Sequence, residues 1–445
     1  MYVARAPSIE ELFEKLSGAD VMDAVAAPED PRSRESYLHW DKLRHLEPPP
    51  ELTSEQWWLK IKAGRRDLRE LPLTEPDGQP FTYGVLDSMF RRLHYIDQRC
   101  SGEVAMDEVV TSEPHAGRRF LVNSLMEEAI RSSQLEGATT SRVVAKEMLR
   151  SGRDPQDRSE RMIVNNYRAL EFMREEMGDR LTPDSVLELH RIVTDGTLDD
   201  PSAAGRLQQP GESRVAVFDR DGGDPVHTPP PAEQLPKRLR AMCEFANEGE
   251  DGGPFVHPVI RAILLHFWLA YDHPFEDGNG RAARILFFWS MRVRGYWLAE
   301  YLPISRLIRN APAQYGRAFI ETETDGGDTT YFLIHQLELI AKAIDDLHVY
   351  LQRKAAEVKD VERLLQGADY LNGRQLALLT DAVRDTGASY SFDSHAASHR
   401  VSHETARSDL RGLVDRGLLV KRHRGRKFVF HPAQDLPTRL KESPA

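Results

Sequence analysis

The sequence predicts a mainly α-helical protein in three parts: an N-terminal accessory region over 1–105, a helical bundle with a β-hairpin over 106–352, and a C-terminal winged helix-turn-helix over 366–435. Three observations predict it. Apolar residues recur at helical spacing through 123–136, 160–195, 259–291 and 301–347. Short extended runs flank a Gly-rich turn at Asp221-Gly222-Gly223-Asp224. Near the C-terminus, three helical stretches precede two apolar runs around a basic tip.

At 445 residues the chain is long enough for two or three domains, each burying its own core. A net charge of -11 excludes a general nucleic-acid or anionic-membrane binder, so any basic surface is local. Two cysteines, Cys100 and Cys243, exclude a disulfide framework and a zinc cluster. The start lacks the apolar core of a signal peptide, and no run reaches membrane-spanning length. The expected setting is the cytoplasm, with no membrane partner.

The first element is an amphipathic helix after Ser8, a good N-cap. Tyr37, Trp40, Trp57 and Trp58 then build either a small satellite core or a peptide-docking surface. From Asn123 to Glu136 a stripe of Leu125, Met126, Ala129, Ile130 and Leu135 marks a helix that Gly137 ends. Ser132 and Glu136 share one face of it. A carboxylate at a helix C-terminus opposes the dipole, which points to a cationic partner elsewhere. Two further helices cover 160–195, the second opened by Thr182; His190 in it reads as a packing histidine rather than a ligand. Val215, Val217 and Phe218 on one side of the Gly-rich turn, with Val226, His227 and Thr228 on the other, make the hairpin.

The densest chemistry follows in His273-Pro274-Phe275-Glu276-Asp277-Gly278-Asn279-Gly280-Arg281-Ala282-Ala283-Arg284. The apolar run Val259–Tyr271 precedes it, and another, from Ala282 to Met291, follows, so it reads as helix, tight loop, buried helix. Gly278 and Gly280 let successive N–H groups point into one concavity at a helix start, where the dipole favours phosphate. Arg281 and Arg284 fall on one face of the first turn and suit further phosphate oxygens. Asn279 adds an amide donor. Asp277 is a hard oxygen ligand suited to magnesium, and His273 is the natural general base.

These twelve residues resemble the Fic family signature, His-x-Phe-x-Asp/Glu-Gly-Asn-Gly-Arg-x-x-Arg, at every fixed position. The resemblance implies a helical Fic bundle that transfers AMP from ATP to a Ser, Thr or Tyr hydroxyl of a target protein, releasing pyrophosphate. It implies His273 as base, Asp277 as the Mg2+ ligand, and Gly278, Asn279 and Gly280 as the anion hole, with Arg281 assisting and Arg284 meeting the γ-phosphate. Ser132-x-x-x-Glu136-Gly137 resembles the family's inhibitory helix, over 123–137, in which the glutamate pairs with the second arginine, here Arg284. The hairpin residues Val226, His227 and Thr228 fall where the family has a flap over target and ATP. Tyr315 stands where an aromatic residue often lies near adenine, although Gly316 departs from a frequent second tyrosine.

Beyond 366, helices over 373–383, 394–399 and 402–415 precede Lys421-Arg422-His423-Arg424-Gly425-Arg426-Lys427. This looks like a winged helix-turn-helix, used for DNA or for protein contacts such as a homodimer. Arg407, Arg411, Arg422, Arg424 and Arg426 are its candidate DNA contacts. The expected function is an autoinhibited protein adenylyltransferase. The alternatives are a DNA-binding transcriptional regulator with a nucleotide-sensing Fic domain, and a Fic enzyme that removes AMP or transfers another nucleotide.

Overall fold

The computed structural model describes every residue except 1, 29, 31–36, 66, 102–113, 215–216, 219–224, 249–253, 367–369, 385–386, 425–426 and 443–445. Two compact units are present, Met1–Val104 with Leu121–Ile344, and Ala105–Phe120 with Asp345–Ala445.

The first unit begins with the helix Ile9–Lys15, capped as expected. Ser8 Oγ accepts from the Glu11 N–H at 3.1 Å, and the Glu11 carboxylate accepts from the Ser8 N–H at 2.9 Å. Trp57 and Trp58 lie on the helix Ser54–Gly64 and are buried with Leu12, Ala24, Leu38 and Leu43. Of the two readings of these aromatics, the satellite core is therefore the one realised. The buried guanidinium of Arg65 ties this region to the bundle: it lies 3.6 Å over the Tyr37 ring, and Nη1 donates to Tyr331 Oη at 2.7 Å.

At the centre of the unit, the helix Pro258–Asp272 packs on the helix Asn279–Val293. Ile263, Leu264, Phe267, Ala282, Leu286 and Trp289 are buried between and around them. The helices Arg158–Glu175, Pro183–Thr194 and Leu235–Asn247 cover the pair. Burial on nearly every side explains why the two central segments carry so continuous an apolar run. Among the described residues no helix is long and apolar enough to cross a membrane.

Several elements went unforeseen in the sequence, among them the hairpin Arg69–Thr74 with Pro80–Tyr83 and the helices Asp87–Cys100, Arg142–Ser151 and Leu235–Asn247. The hairpin carries prolines at positions 72 and 80 and pairs irregularly between Glu70 and Thr74, which blurs its alternation. The helix Thr330–Gln366 also differs from expectation, since it runs on through the charged stretch 352–362. That stretch lacks Gly and Pro and is rich in Lys, Glu, Gln, Arg and Ala, all good helix formers.

The second unit holds the helices Gly373–Arg384, Phe392–His399 and His403–Asp415. Arg400, at φ 52°, makes the turn between the last two. Strands Leu419–Arg424 and Lys427–Pro432 pair antiparallel from Leu419 opposite Pro432 to Arg424 opposite Lys427. Tyr390 exchanges two 2.8 Å backbone bonds with Phe430, adding a third short edge. Leu379, Leu410, Leu413, Leu418 and Phe430 form the core, completed by Leu436 and Leu440 from a helix Leu436–Glu442 that was not expected. Asp409, on the buried face of the third helix, accepts from Arg374 Nε and Asn372 Nδ2, each at 2.7 Å.

Candidate functional site

The loop between the two central helices is closed by its own side chains. His273 ends the first helix in the left-handed region (φ 45°, ψ 52°), and Gly278 starts the second at φ 84°. A Cβ on Gly278 would lie 2.9 Å from Thr194 Cγ2, so only glycine fits this turn and this packing. Asn279, buried at 2% exposure, donates from Nδ2 to the Phe275 carbonyl at 2.8 Å and accepts the Phe275 N–H at 3.0 Å. Its side-chain amide is thus committed to the loop, and what Asn279 offers an anion is its backbone N–H. The first intrahelical bond is Ala282 N–H to Gly278 C=O at 3.0 Å. The N–H groups of Asn279, Gly280 and Arg281 precede it and are not used by the helix. These are the N–H groups at the start of the second helix to which the sequence reading assigns the anion hole.

Three residues outside the motif fix the loop from behind, and two of them carry no signal in the sequence. His190 stacks on Phe275 with ring centroids 3.7 Å apart; its Nδ1 accepts the Gly205 N–H at 3.0 Å, which leaves Nε2–H to donate to the Asp277 carbonyl at 2.9 Å. Burial pushes its pKa down to about 4, consistent with that neutral tautomer. It is a packing histidine, as expected, but one that sets the position of the motif loop. Arg214 Nη2 donates to the Asp272 carbonyl at 2.7 Å, and the Gln208 N–H to the Pro274 carbonyl at 2.9 Å.

The two arginines differ in surroundings. Arg281 is fully buried; Nη1 donates to the Val193 carbonyl at 3.1 Å and Nη2 lies 3.3 Å from Asp277 Oδ1. Its Nε finds no hydrogen-bond partner among the described residues. Arg284 faces the helix Pro114–Leu135. Its Nε donates to Ser132 Oγ at 2.9 Å, and Nη2 donates to the Ser132 carbonyl at 3.2 Å and to Glu136 Oε1 at 2.6 Å. Glu136 stands at the cap of that helix, where Ala138 N–H bonds the Ser133 carbonyl (3.0 Å) and Gly137, at φ 97°, N–H bonds the Gln134 carbonyl (3.3 Å). This double bond at the helix end aims Glu136 across Gly280, so closely that a Cβ on Gly280 would collide with Glu136 Oε1. The cationic partner inferred from the dipole argument is therefore Arg284.

His273 is nearly buried, and burial pushes its pKa down to about 4. Nδ1 lies 3.3 Å from the Ala270 carbonyl, which can only accept, so Nδ1 carries the proton and Nε2 keeps its lone pair. The imidazole is thus neutral throughout the physiological range, not poised near neutrality. Asp277 is part-exposed; Oδ1 accepts the Gly278 N–H at 2.5 Å and Oδ2 lies 3.9 Å from Arg158.

The strands Val217–Phe218 and Pro225–His227 pair antiparallel, and the turn 219–224 lies outside the described residues. Val226 falls in the second strand, though its side chain is outside the described set; Thr228 is exposed. His227 turns inward, with Nε2 2.7 Å from the Tyr271 carbonyl and Nδ1 2.8 Å from Glu323 Oε2, and so joins the strand to the motif's first helix. Tyr315 points its hydroxyl into the bundle, 2.9 Å from His266 Nε2, in reach of Arg284. In the second unit Arg407, Arg411 and Arg422 are exposed; the Arg424 side chain and all of Arg426 are outside the described residues.

Residues 180–291 match the model of the Fic/DOC family. Over 177 residues the chain is 28% identical to the protein adenylyltransferase Fic of Nematostella vectensis, covering 38% of each protein. Over 213 residues it is 28% identical to the protein adenylyltransferase Fic of Drosophila mojavensis, covering 46% of this chain and 38% of that one. The matched stretch therefore spans under two fifths of the length of these curated relatives. The fold is also that of a Fic family protein from Desulfovibrio desulfuricans, whose crystal structure superposes with a TM-score of 0.51 at 19% identity, covering 79% of this chain and 98% of the other.

Proposed function

We propose that the protein is an autoinhibited adenylyltransferase that moves AMP from ATP to a hydroxyl side chain of another protein. The observation that carries this reading is the meeting, in one loop, of a neutral imidazole with a free Nε2 and a row of unused helix N–H groups. In the reaction Nε2 of His273 takes the proton of the target hydroxyl, whose oxygen attacks the α-phosphorus. The bond to the β-phosphate oxygen breaks and pyrophosphate leaves. The N–H groups at 279–281 face the charge that builds on the phosphoryl oxygens, where the helix dipole adds to them. Arg281, whose buried Nε has no partner among the described residues, and Arg284 suit the remaining oxygens. In this reading the strand ending at His227 holds the target backbone, and Tyr315 borders the nucleotide site. Residues 106–352 form the catalytic part, with 1–105 as its accessory region.

Asp277 fits one ligand position for magnesium, being a part-exposed carboxylate in front of the cradle. Among the described residues no three His, Cys, Asp or Glu side chains converge, which leaves the other positions to phosphate oxygens and water. A bound magnesium ion would neutralise phosphate charge and align the leaving group. The expected result for Asp277→Ala is loss of the magnesium-dependent part of ATP binding, read by calorimetry with and without the ion. A wild type indifferent to magnesium contradicts the assignment.

The direct test incubates the protein with magnesium and α-labelled ATP, and follows it and a cell lysate by mass analysis. An added AMP mass is the expected result; ATP binding with no transfer by any variant overturns the enzyme reading and favours a nucleotide sensor.

A second reading concerns residues 366–435, as a winged helix that binds duplex DNA. It is supported by the exposure of Arg407 and Arg411, one turn apart on the helix His403–Asp415, and of Arg422 on the hairpin. Phosphate contacts release counterions, so binding should weaken steeply with salt. For Arg407→Ala with Arg411→Ala, the slope of log affinity against log salt should fall by about 1 for each phosphate that is no longer neutralised. A wild type that ignores DNA at low salt removes this reading.

A further inference from the structure

Glu128 lies two helical turns before Glu136, so Glu128, Ser132 and Glu136 form one stripe at spacings of four along the same face. Glu136 and Ser132 both bond Arg284. Glu128 has a different neighbour: it is 4% exposed, and its carboxylate accepts the Ser305 N–H at 3.1 Å and the Ser305 Oγ–H. Ser305 belongs to the helix Ile304–Asn310, so the carboxylate fastens the middle of the inhibitory helix to the bundle. Glu128 also feels the charge of Arg284, and with it lines a cavity of about 10 Å³ shared by His266 and Gln336. Gln336 is buried and its Nε2 finds no hydrogen-bond partner among the described residues.

A buried carboxylate is retained only where donors or a cation compensate its lost hydration. Ser305 supplies two donors, and the nearby cation is Arg284. The same logic applies in reverse to Arg284. When Glu136 withdraws, the arginine keeps the neutral oxygens of Ser132 and loses its carboxylate. An uncompensated buried guanidinium would turn toward water or toward any other acceptor. Glu128 stands where it can prevent this, on the wall of the small cavity that the guanidinium also lines. Arg284 Nη1 approaches Gly280, so that end of the group faces the helix start.

We infer that Glu128 is the resident counter-charge of Arg284: a positioning residue that holds the guanidinium toward the nucleotide's terminal phosphate once Glu136 has left. The inference rests on the proposed reading of Arg284 as the ligand of that phosphate. It also assigns separate tasks to two carboxylates of one helix. Glu136 competes with ATP for Arg284, and Glu128 keeps Arg284 in place for ATP.

The test compares affinities for ATP and ADP, which differ by the terminal phosphate, in the Glu136→Gly protein at pH 8. That pH lies above the value of about 7 to which burial pushes the Glu128 carboxyl, so the group is ionised. Calorimetry should give tighter binding of ATP than of ADP in Glu136→Gly, by roughly tenfold for one charged hydrogen bond. Adding Glu128→Gln should bring the ratio near one while ADP affinity stays constant. Ser305→Ala, which loosens the same carboxylate without touching the helix, should lower the ratio in the same direction. A purely structural role would instead weaken both nucleotides together. A ratio that survives Glu128→Gln in a folded protein overturns the inference and leaves the reading of Arg284 intact. Equal affinities already in Glu136→Gly sink that reading, and the inference with it.

Discussion

Replacing His273 by alanine should abolish AMP transfer while leaving ATP affinity nearly unchanged. The imidazole makes no contact with the cradle N–H groups, which belong to residues 279–281, so nucleotide binding does not depend on it. A positioned base contributes about a hundred- to ten-thousand-fold, which places the variant at the detection limit of a labelling assay. The pH dependence is a sharper check. The neutral imidazole is the active form, and burial lowers its pKa to about 4, so kcat/KM should hold down to pH 5 and fall as pH drops through about 4. The phosphates of bound ATP favour the protonated form, so the acid limb of kcat should lie at higher pH. An acid limb of kcat/KM near 6.5 would mean that the histidine works in a more open site. Full labelling by His273→Ala would remove the base from the mechanism.

Glu136→Gly should raise transfer by roughly ten- to a hundredfold. The carboxylate bonds Arg284 at 2.6 Å and lies over Gly280, so it occupies the space and the cation that a terminal phosphate would need. A hydrogen bond to a charged group is worth about 1.5–3 kcal/mol, which converts to that range. The assay is initial-rate AMP incorporation at subsaturating ATP, with the gain appearing in the affinity for ATP. Equal rates for the two proteins would show that Glu136 does not limit the reaction. Glu136→Gln is a useful companion, because it keeps the volume and removes the charge. Partial activation by it would separate electrostatic competition from simple obstruction.

How much of this was legible in the sequence differs from element to element. The motif's place as a tight loop between two buried helices was legible because its twelve residues are contiguous and lie between two apolar runs. The Glu136–Arg284 pair spans 148 positions, yet the wrong-signed charge at a helix end signalled that a partner existed. The commitments of side chains were not legible. Asn279 carries an amide that any reading would aim at phosphate, but the sharp loop needs that amide to tie Phe275 at both ends. His273 reads as a general base from its residue type, and the low pKa that burial gives it is not visible in the sequence. Arg214 and Gln208 sit in a stretch without periodicity, so nothing local distinguishes them from solvated loop residues. Glu128 would pass for a solvated residue beside Glu127, until packing turns it inward against Ser305. The hairpin Arg69–Thr74 with Pro80–Tyr83 is short and proline-bearing, and pattern reading favours longer, regular strands.

The closed loop has a thermodynamic consequence for ligand discrimination. Asn279, His190, Gln208 and Arg214 fix the cradle before any nucleotide arrives, so the entropy of ordering it belongs to folding and not to binding. Under the proposed function, nucleotide affinity would therefore be free to be modest and fast-exchanging without loss of alignment at the α-phosphate. Different nucleoside triphosphates would meet the same rigid seat for their shared phosphates, and any selectivity among bases must come from the far end of the pocket. In the proposed reaction, changes at that far end would alter the choice of donor nucleotide while leaving the phosphate seat as it is.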